Sequence, residues 1–255
     1  MDLIAVLAGF GVGAIVGMTG VGGGSLMTPL MMGVFGLPPA VAIGTDLWFA
    51  GLTKISGSVA HWRHKHIDNR ILLQLLAGSL PAAVATVALM HLTGITKAWS
   101  SALTFSLGVA LLLTALVVAF KSTWHRLGLR LERWLPEQHR AAWTIASGVL
   151  LGVLVSLSSI GAGAIGATLI LLVHPRLETR RLVGTDIAHA VPLTLVAGIG
   201  HATLGHVNWP MLGTLLIGSI PGIWLGAQLT RAMPERLIRG LLCASLLGAG
   251  FKVIH

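Results

Sequence analysis

Gly44-Thr45-Asp46, His61, His66 and Gly78-Ser79-Leu80-Pro81 return in the same order, at one constant offset, as Gly184-Thr185-Asp186, His201, His206 and Gly218-Ser219-Ile220-Pro221. Matches that keep a single spacing mark an internal duplication. With a one-residue gap, Val21-Gly22-Gly23-Gly24-Ser25 also falls on Ile160-Gly161-Ala162-Gly163-Ala164, so each copy opens with the same run of small residues. The expected organisation is a first repeat over 1–120, a linker over 121–140 and a second repeat over 141–255.

The chain around these landmarks belongs in lipid. Its 255 residues are 55% hydrophobic and 10% charged, whereas a soluble domain carries about 25% charged residues. No charge occurs between Leu3 and Thr45, and comparable apolar stretches follow to His255. Met1-Asp2 lacks the basic start of a signal peptide, so the first apolar stretch is read as part of the fold. A lone Cys243 excludes an internal disulfide and any cysteine-based metal motif, and no cofactor motif is present. The net charge of +9 comes from basic residues in short loops, a distribution that reports topology rather than nucleic-acid binding.

Loop charge orients the copies. Arg63, Lys65 and Arg70 lie between His61 and Arg70, while the matching stretch His201 to Asn208 has neither Lys nor Arg. Arg176, Arg180 and Arg181 lie between His174 and Arg181, while the matching Val34 to Val41 has none. Arg231, Arg236 and Arg239 against Lys97 give a third, weaker contrast. All three fit one map by the positive-inside rule: inverted repeats, with both chain ends outside. In the linker, Trp124, Leu127, Leu131, Trp134 and Leu135 recur at helical spacing opposite Arg126, Arg130 and Arg133, as in a helix lying on the cytoplasmic membrane surface.

Inversion requires an odd number of crossings per copy, and the segments near 41–60, 70–91 and 97–120 supply three in the first. As one helix, Leu3 to Gly36 would be about 50 Å long against a hydrocarbon core of about 30 Å. It must turn back, and Thr19 to Ser25 is where it can, because glycine adopts turn geometry freely. Ser158 to Gly163 does the same in the second copy. The expected fold is an all-α polytopic membrane protein of two inverted-topology repeats, each a glycine-broken hairpin plus three spanning helices, about 8–10 transmembrane segments in all. How far the short second arms cross is left open.

Irregular backbone at membrane depth is tolerated where protein or a water-filled cavity satisfies it, so two such breaks point to a central site. Helix N-termini that begin there offer N–H groups and partial positive charge to an anion. The candidate substrate contacts are Thr19, Gly22, Gly23, Gly24, Ser25, Ser158, Ser159, Gly161 and Gly163; close helix packing is the alternative role for the glycines. Asp46, Lys54 and Asp186 lie inside apolar spans, where charge is costly and functional by default. Lys54 has Thr194 at its equivalent position and is a candidate substrate contact; the alternative is a bond to Asp186 or a neighbouring carbonyl. Asp46 and Asp186 are candidate carriers of a coupling ion, H+ or Na+. His189, one helical turn after Asp186, is a candidate relay. For Asp186 the alternative is a pair with Arg180 or Arg181, while His61 and His201 read as interfacial hydrogen-bonding residues.

Gly20 to Leu30 (Gly-Val-Gly-Gly-Gly-Ser-Leu-Met-Thr-Pro-Leu), Gly44 to Leu47, Thr53-Lys54, His61 and Gly218 to Gly222 together resemble the TauE/SafE sulfite exporter family, the TSUP permeases, over nearly the whole chain. The resemblance implies an inner-membrane carrier of sulfur-containing anions such as sulfite, sulfoacetate and other organosulfonates. One departure is the Gly-Thr-Asp in both repeats where the commoner pattern is Gly-Thr-Ser. A serine donates to an anion; an ionised aspartate repels it.

A small anion, a coupling ion and the bilayer are thus the expected partners, with a homodimer left open and no catalytic or metal site. An anion channel is the alternative reading. An intramembrane enzyme is disfavoured, since neither HExxH nor GxSxG occurs.

Overall fold

The computed structural model describes residues 3–19, 24–94, 97–132, 136–229, 240, 243–244 and 246–251, and these are helical apart from short connections. Gly22, Gly23, Arg133, Trp134, Leu135, Arg231, Arg236 and Arg239 lie outside them, as do the side chains of Thr19 and Lys97. In chain order the helices are α1 (Leu3–Thr19), α2 (Gly24–Gly33), α3 (Pro39–Arg63), α4 (Asn69–Thr93), α5 (Lys97–Ala119), α6 (Lys121–Leu131), α7 (Glu137–Ser158), α8 (Ala164–Val173), α9 (Thr179–Thr203) and α10 (Trp209–Leu229).

Five of them, α4, α5, α7, α9 and α10, are long and apolar enough to cross a membrane. At 25 residues α3 has the same length as α4 and α9 but falls outside these five. The physical reason is its surroundings: Ala42 to Leu47, Phe49, Ala50 and Gly51 are all buried, so protein rather than lipid solvates Thr45 and Asp46. The question of the hairpins' second arms is answered by length. With 10 residues each, α2 and α8 reach about 15 Å, half of a hydrocarbon core of about 30 Å.

Helices pair across the two halves of the sequence. Lipid is as apolar as leucine, so helices gain contact in a membrane chiefly by close packing at small residues. On α4 and α7, Gly78 faces the Ile145 carbonyl, Gly148 that of Leu75 and Gly152 that of Ser79, each too close for a Cβ. On α1 and α10, Gly218 faces the Val6 carbonyl, Gly9 that of Leu215 and Gly13 that of Ser219, at the repeat-equivalent positions. The middle of the bundle is the crossing of α3 with α9. There Gly44 lies against the His206 carbonyl and Gly184 against that of His66. Thr45 Oγ1 accepts from the Asn208 N–H at 2.9 Å and Thr185 Oγ1 from the Asp68 N–H at 2.9 Å. The connection after each of these helices therefore sits on the Gly-Thr-Asp segment of the other.

Among the described residues the linker is helical over Lys121–Leu131, and α7 begins at Glu137. Its contact with α8 runs through Gly128, against the Leu171 carbonyl and Pro175, while Leu127 and Leu131 stay exposed.

Candidate functional site

The site is built where α7 stops. Ser158 Oγ donates to the Leu154 carbonyl at 2.7 Å and accepts from the Ile160 N–H at 3.2 Å, bracing the break rather than facing a ligand. Ser159 then takes a left-handed conformation at φ 58°, and Gly161 and Gly163 follow at φ 128° and 145°. The glycine angles are ones that side chains rarely tolerate, and a non-glycine residue at positive φ stores strain typical of functional loops. The chain resumes as α8 with Gly166 N–H on the Gly161 carbonyl at 2.8 Å.

Asp186 on α9 comes down on this new helix end. Its carboxylate faces the Gly163 N–H, and it lies so close over Gly166 that only a hydrogen fits there. Asp46 on α3 accepts from Thr28 Oγ1 of α2. Ser159, with its Oγ buried, stands beside the same carboxylate. Oδ1 of both aspartates is likewise buried. Each short arm therefore meets a protein carboxylate, a stabilising charge for a helix N-terminus.

Lys54 reaches from α3 into the break, where its Nζ donates to the Ala162 carbonyl at 2.6 Å. The neighbouring-carbonyl role is thus occupied, and the same ammonium lies within Coulombic reach of Asp186 and Asp46. It lines a small cavity with Ser25, Thr114, Ser159, Gly161 and Thr194. The positions are paired by the repeat: Lys54 with Thr194, and Ser25 with Ala164, which also lines it. At about 10 Å³ the cavity holds one water.

Among the sequence candidates, Ser25, Lys54, Ser159 and Gly161 are brought to this cavity, with Asp46 and Asp186 beside it. Ser158 points back into its own helix end, and Gly163 serves Asp186. Gly24 is the first residue of α2. Asp186 does not pair with Arg181, whose guanidinium binds Asp68 at 3.2 Å. His189 does not bond Asp186 either: its Nε2 meets Ser79 Oγ at 2.9 Å, and its Nδ1 has no partner. His201, expected at an interface, is fully buried and binds the Ser156 carbonyl at 2.9 Å.

Sequence reasoning missed Thr28, Ala162, Gly166 and Thr114. For Thr28 a signal existed, since it follows Ser25 by three residues on a helix and shares its face. For Thr114 and the Ala162 carbonyl there was none, because both act through contacts distant in sequence.

The sulfite exporter TauE/SafE family model matches residues 5–253. The Probable membrane transporter protein YjnA of Bacillus subtilis is 36% identical over 257 residues, covering 100% of both chains. YdhB of the same organism, with the same description, is 28% identical over 99% of this chain and 100% of its own. The Probable membrane transporter protein MJ0441 of Methanocaldococcus jannaschii is 24% identical over 96% of this chain and 92% of its own. No solved structure matches significantly. A polytopic helical chain matched end to end by such relatives is a membrane transporter, and it belongs to the TauE/SafE sulfite exporter family.

Proposed function

We propose that the protein is a secondary transporter of a small sulfur-containing oxyanion or organosulfonate, of the sulfite/sulfoacetate class, coupled to movement of a proton or sodium ion. The carrying observation is the central cavity, where one ammonium and the ends of two broken hairpins face two buried carboxylates. Substrate class comes from the family; the site supplies a way to couple it. With Asp46 and Asp186 ionised, an arriving anion meets like charge beside the helix ends it would bind. Neutralising either carboxylate, by a proton or a sodium ion, removes that repulsion and leaves Lys54, Ser25 and the loop donors to the substrate.

A cavity the size of one water admits no oxyanion, so loading requires α3 and the 159–163 break to separate. That requirement favours a carrier over an open channel. The proposed topology is inverted, in the bacterial inner membrane with both termini periplasmic. It is supported by the reversed loop charges and by the reciprocal seating of the two connections on Gly44-Thr45 and Gly184-Thr185.

The direct test is uptake into proteoliposomes offered sulfite, sulfate, thiosulfate and a panel of sulfonates. Saturable uptake of at least one is expected; unitary currents without saturable exchange would return the protein to the channel class. Lys54→Met should weaken half-saturation by roughly tenfold or more, since a charge-assisted contact is lost from a site removed from water. Lys97→Met provides the reference, and equal small effects from the two would remove Lys54 from the substrate site. For topology, Cys243→Ser carrying a single cysteine at Asn69 or at Thr203, both exposed at helix ends, should label from opposite faces of intact cells. Labelling of both from one face would end the inverted model.

A further inference from the structure

A second cavity lies away from the centre, at the end of the bundle where α4 and α7 begin and α8 turns into α9. It has a volume of about 280 Å³ and is lined by residues including Arg70, Arg140, Arg176, His174, Asp68 and Glu137. Two of the arginines share one carboxylate: Glu132, at the end of the linker helix, accepts from Arg140 and from Arg176 at 3.0 Å each. Asp68 is held by Arg181 and also caps α4, accepting from the Ile71 N–H. Four arginines against Asp68, Glu132 and Glu137 leave this end with one net positive charge. Donor capacity is also left over. Among the described residues, Arg140 Nε is buried without a partner and no side chain caps the start of α7 after Pro136. Burial, and then the charge of Arg140, hold the His174 imidazole below its ordinary range, so it adds no charge near neutrality. Its Nε2 is shared with Thr144 Oγ1 at 2.9 Å.

We infer that this cavity binds a tetrahedral oxyanion of the sulfate or phosphate class, either free in solution or as the phosphate of an anionic lipid headgroup. A site that combines planar guanidinium forks with the uncapped start of a helix matches that chemistry, and the volume suits such an ion with part of its water. It is distinct from the central cavity; the Asp68 N–H donates to Thr185 Oγ1, next to Asp186, so one hydrogen bond lies between the two. The inference extends the transport reading without depending on it, because binding is measured without flux.

The test is equilibrium binding of radiolabelled sulfate to the purified protein in nanodiscs of phosphatidylcholine alone, compared with nanodiscs containing phosphatidylglycerol. Arg70→Gln is the primary variant, because Arg70 is exposed and is not among the arginines that bridge Glu132 or Asp68; Arg176→Gln is the second. The expected result is sulfate binding that each variant weakens about tenfold, a loss typical of one charge-assisted hydrogen bond, while Lys97→Met leaves it unchanged. If phosphatidylglycerol abolishes sulfate binding in the parent protein, the site takes lipid phosphate. If sulfate binds equally in both membranes, it takes the free ion. Unchanged binding in both arginine variants, an equal loss in Lys97→Met, or no binding of either sulfate or lipid phosphate would overturn the inference.

Discussion

Asp46→Asn combined with Asp186→Asn should abolish substrate accumulation driven by an imposed ion gradient while sparing downhill exchange. Asparagine keeps the shape of the carboxylate and one acceptor oxygen, so the bond from Thr28 survives and the helix ends stay covered. What disappears is the negative charge, and with it any reason for a proton or sodium ion to enter with the substrate. One coupled proton under a gradient of one pH unit sustains about tenfold accumulation. The double variant should show none. Proteoliposomes with imposed pH or sodium gradients distinguish the two ions, and counterflow of labelled substrate reports binding in the same preparation. A double variant that still concentrates substrate in full response to either gradient would make these aspartates structural.

Gly44→Val should be nearly as damaging, through packing. A side chain there meets the His206 carbonyl and Cβ of His201, and the backbone carbonyl cannot step aside without lifting the 206–208 connection and its bond to Thr45. Overpacking against backbone costs about 1–3 kcal/mol and sometimes more. The expected results are a lowered melting temperature in detergent and faster thiol labelling of a cysteine placed at Val207. Gly184→Val should do the same at the opposite connection, with faster labelling at Ile67. Gly213→Ala is the control, since nothing lies within 4 Å of that position. A variant at Gly44 that melts with the control would mean the connection is not seated there.

The helices, the break between α7 and α8 and the ionisable residues inside α3 and α9 were legible in the sequence because each rests on a local signal. Glycine runs report breaks, apolar length reports spans, and an aspartate inside a span has no innocuous reading. Partnership was not legible. Gly78 and Gly218 announce close contact, yet nothing in their neighbourhoods says that α4 meets α7 or that α1 meets α10. The same limit applied to the site. Lys54 was recognisable as unusual, whereas its acceptor on Ala162 lies far along the chain, and Arg181 looked available to Asp186 until the fold gave it to Asp68. In the linker, Gly128, which carries no hydrophobic signal, lies against the Leu171 carbonyl and Pro175, a contact that its neighbourhood does not announce.

The pairing of α1 with α10 has a consequence for how the protein comes to exist. During synthesis at about 5–20 residues per second, α1 reaches the membrane roughly 10–40 s before its main partner has been made. Through that interval its glycine face, through Gly9 and Gly13, can only meet lipid or the wrong helix. Arrival of α10 is then a late closing step, and it joins the first helix to one made about 200 residues later. A ribosome that stalls before residue 209 would release an α1 with no seat, a natural target for membrane quality control.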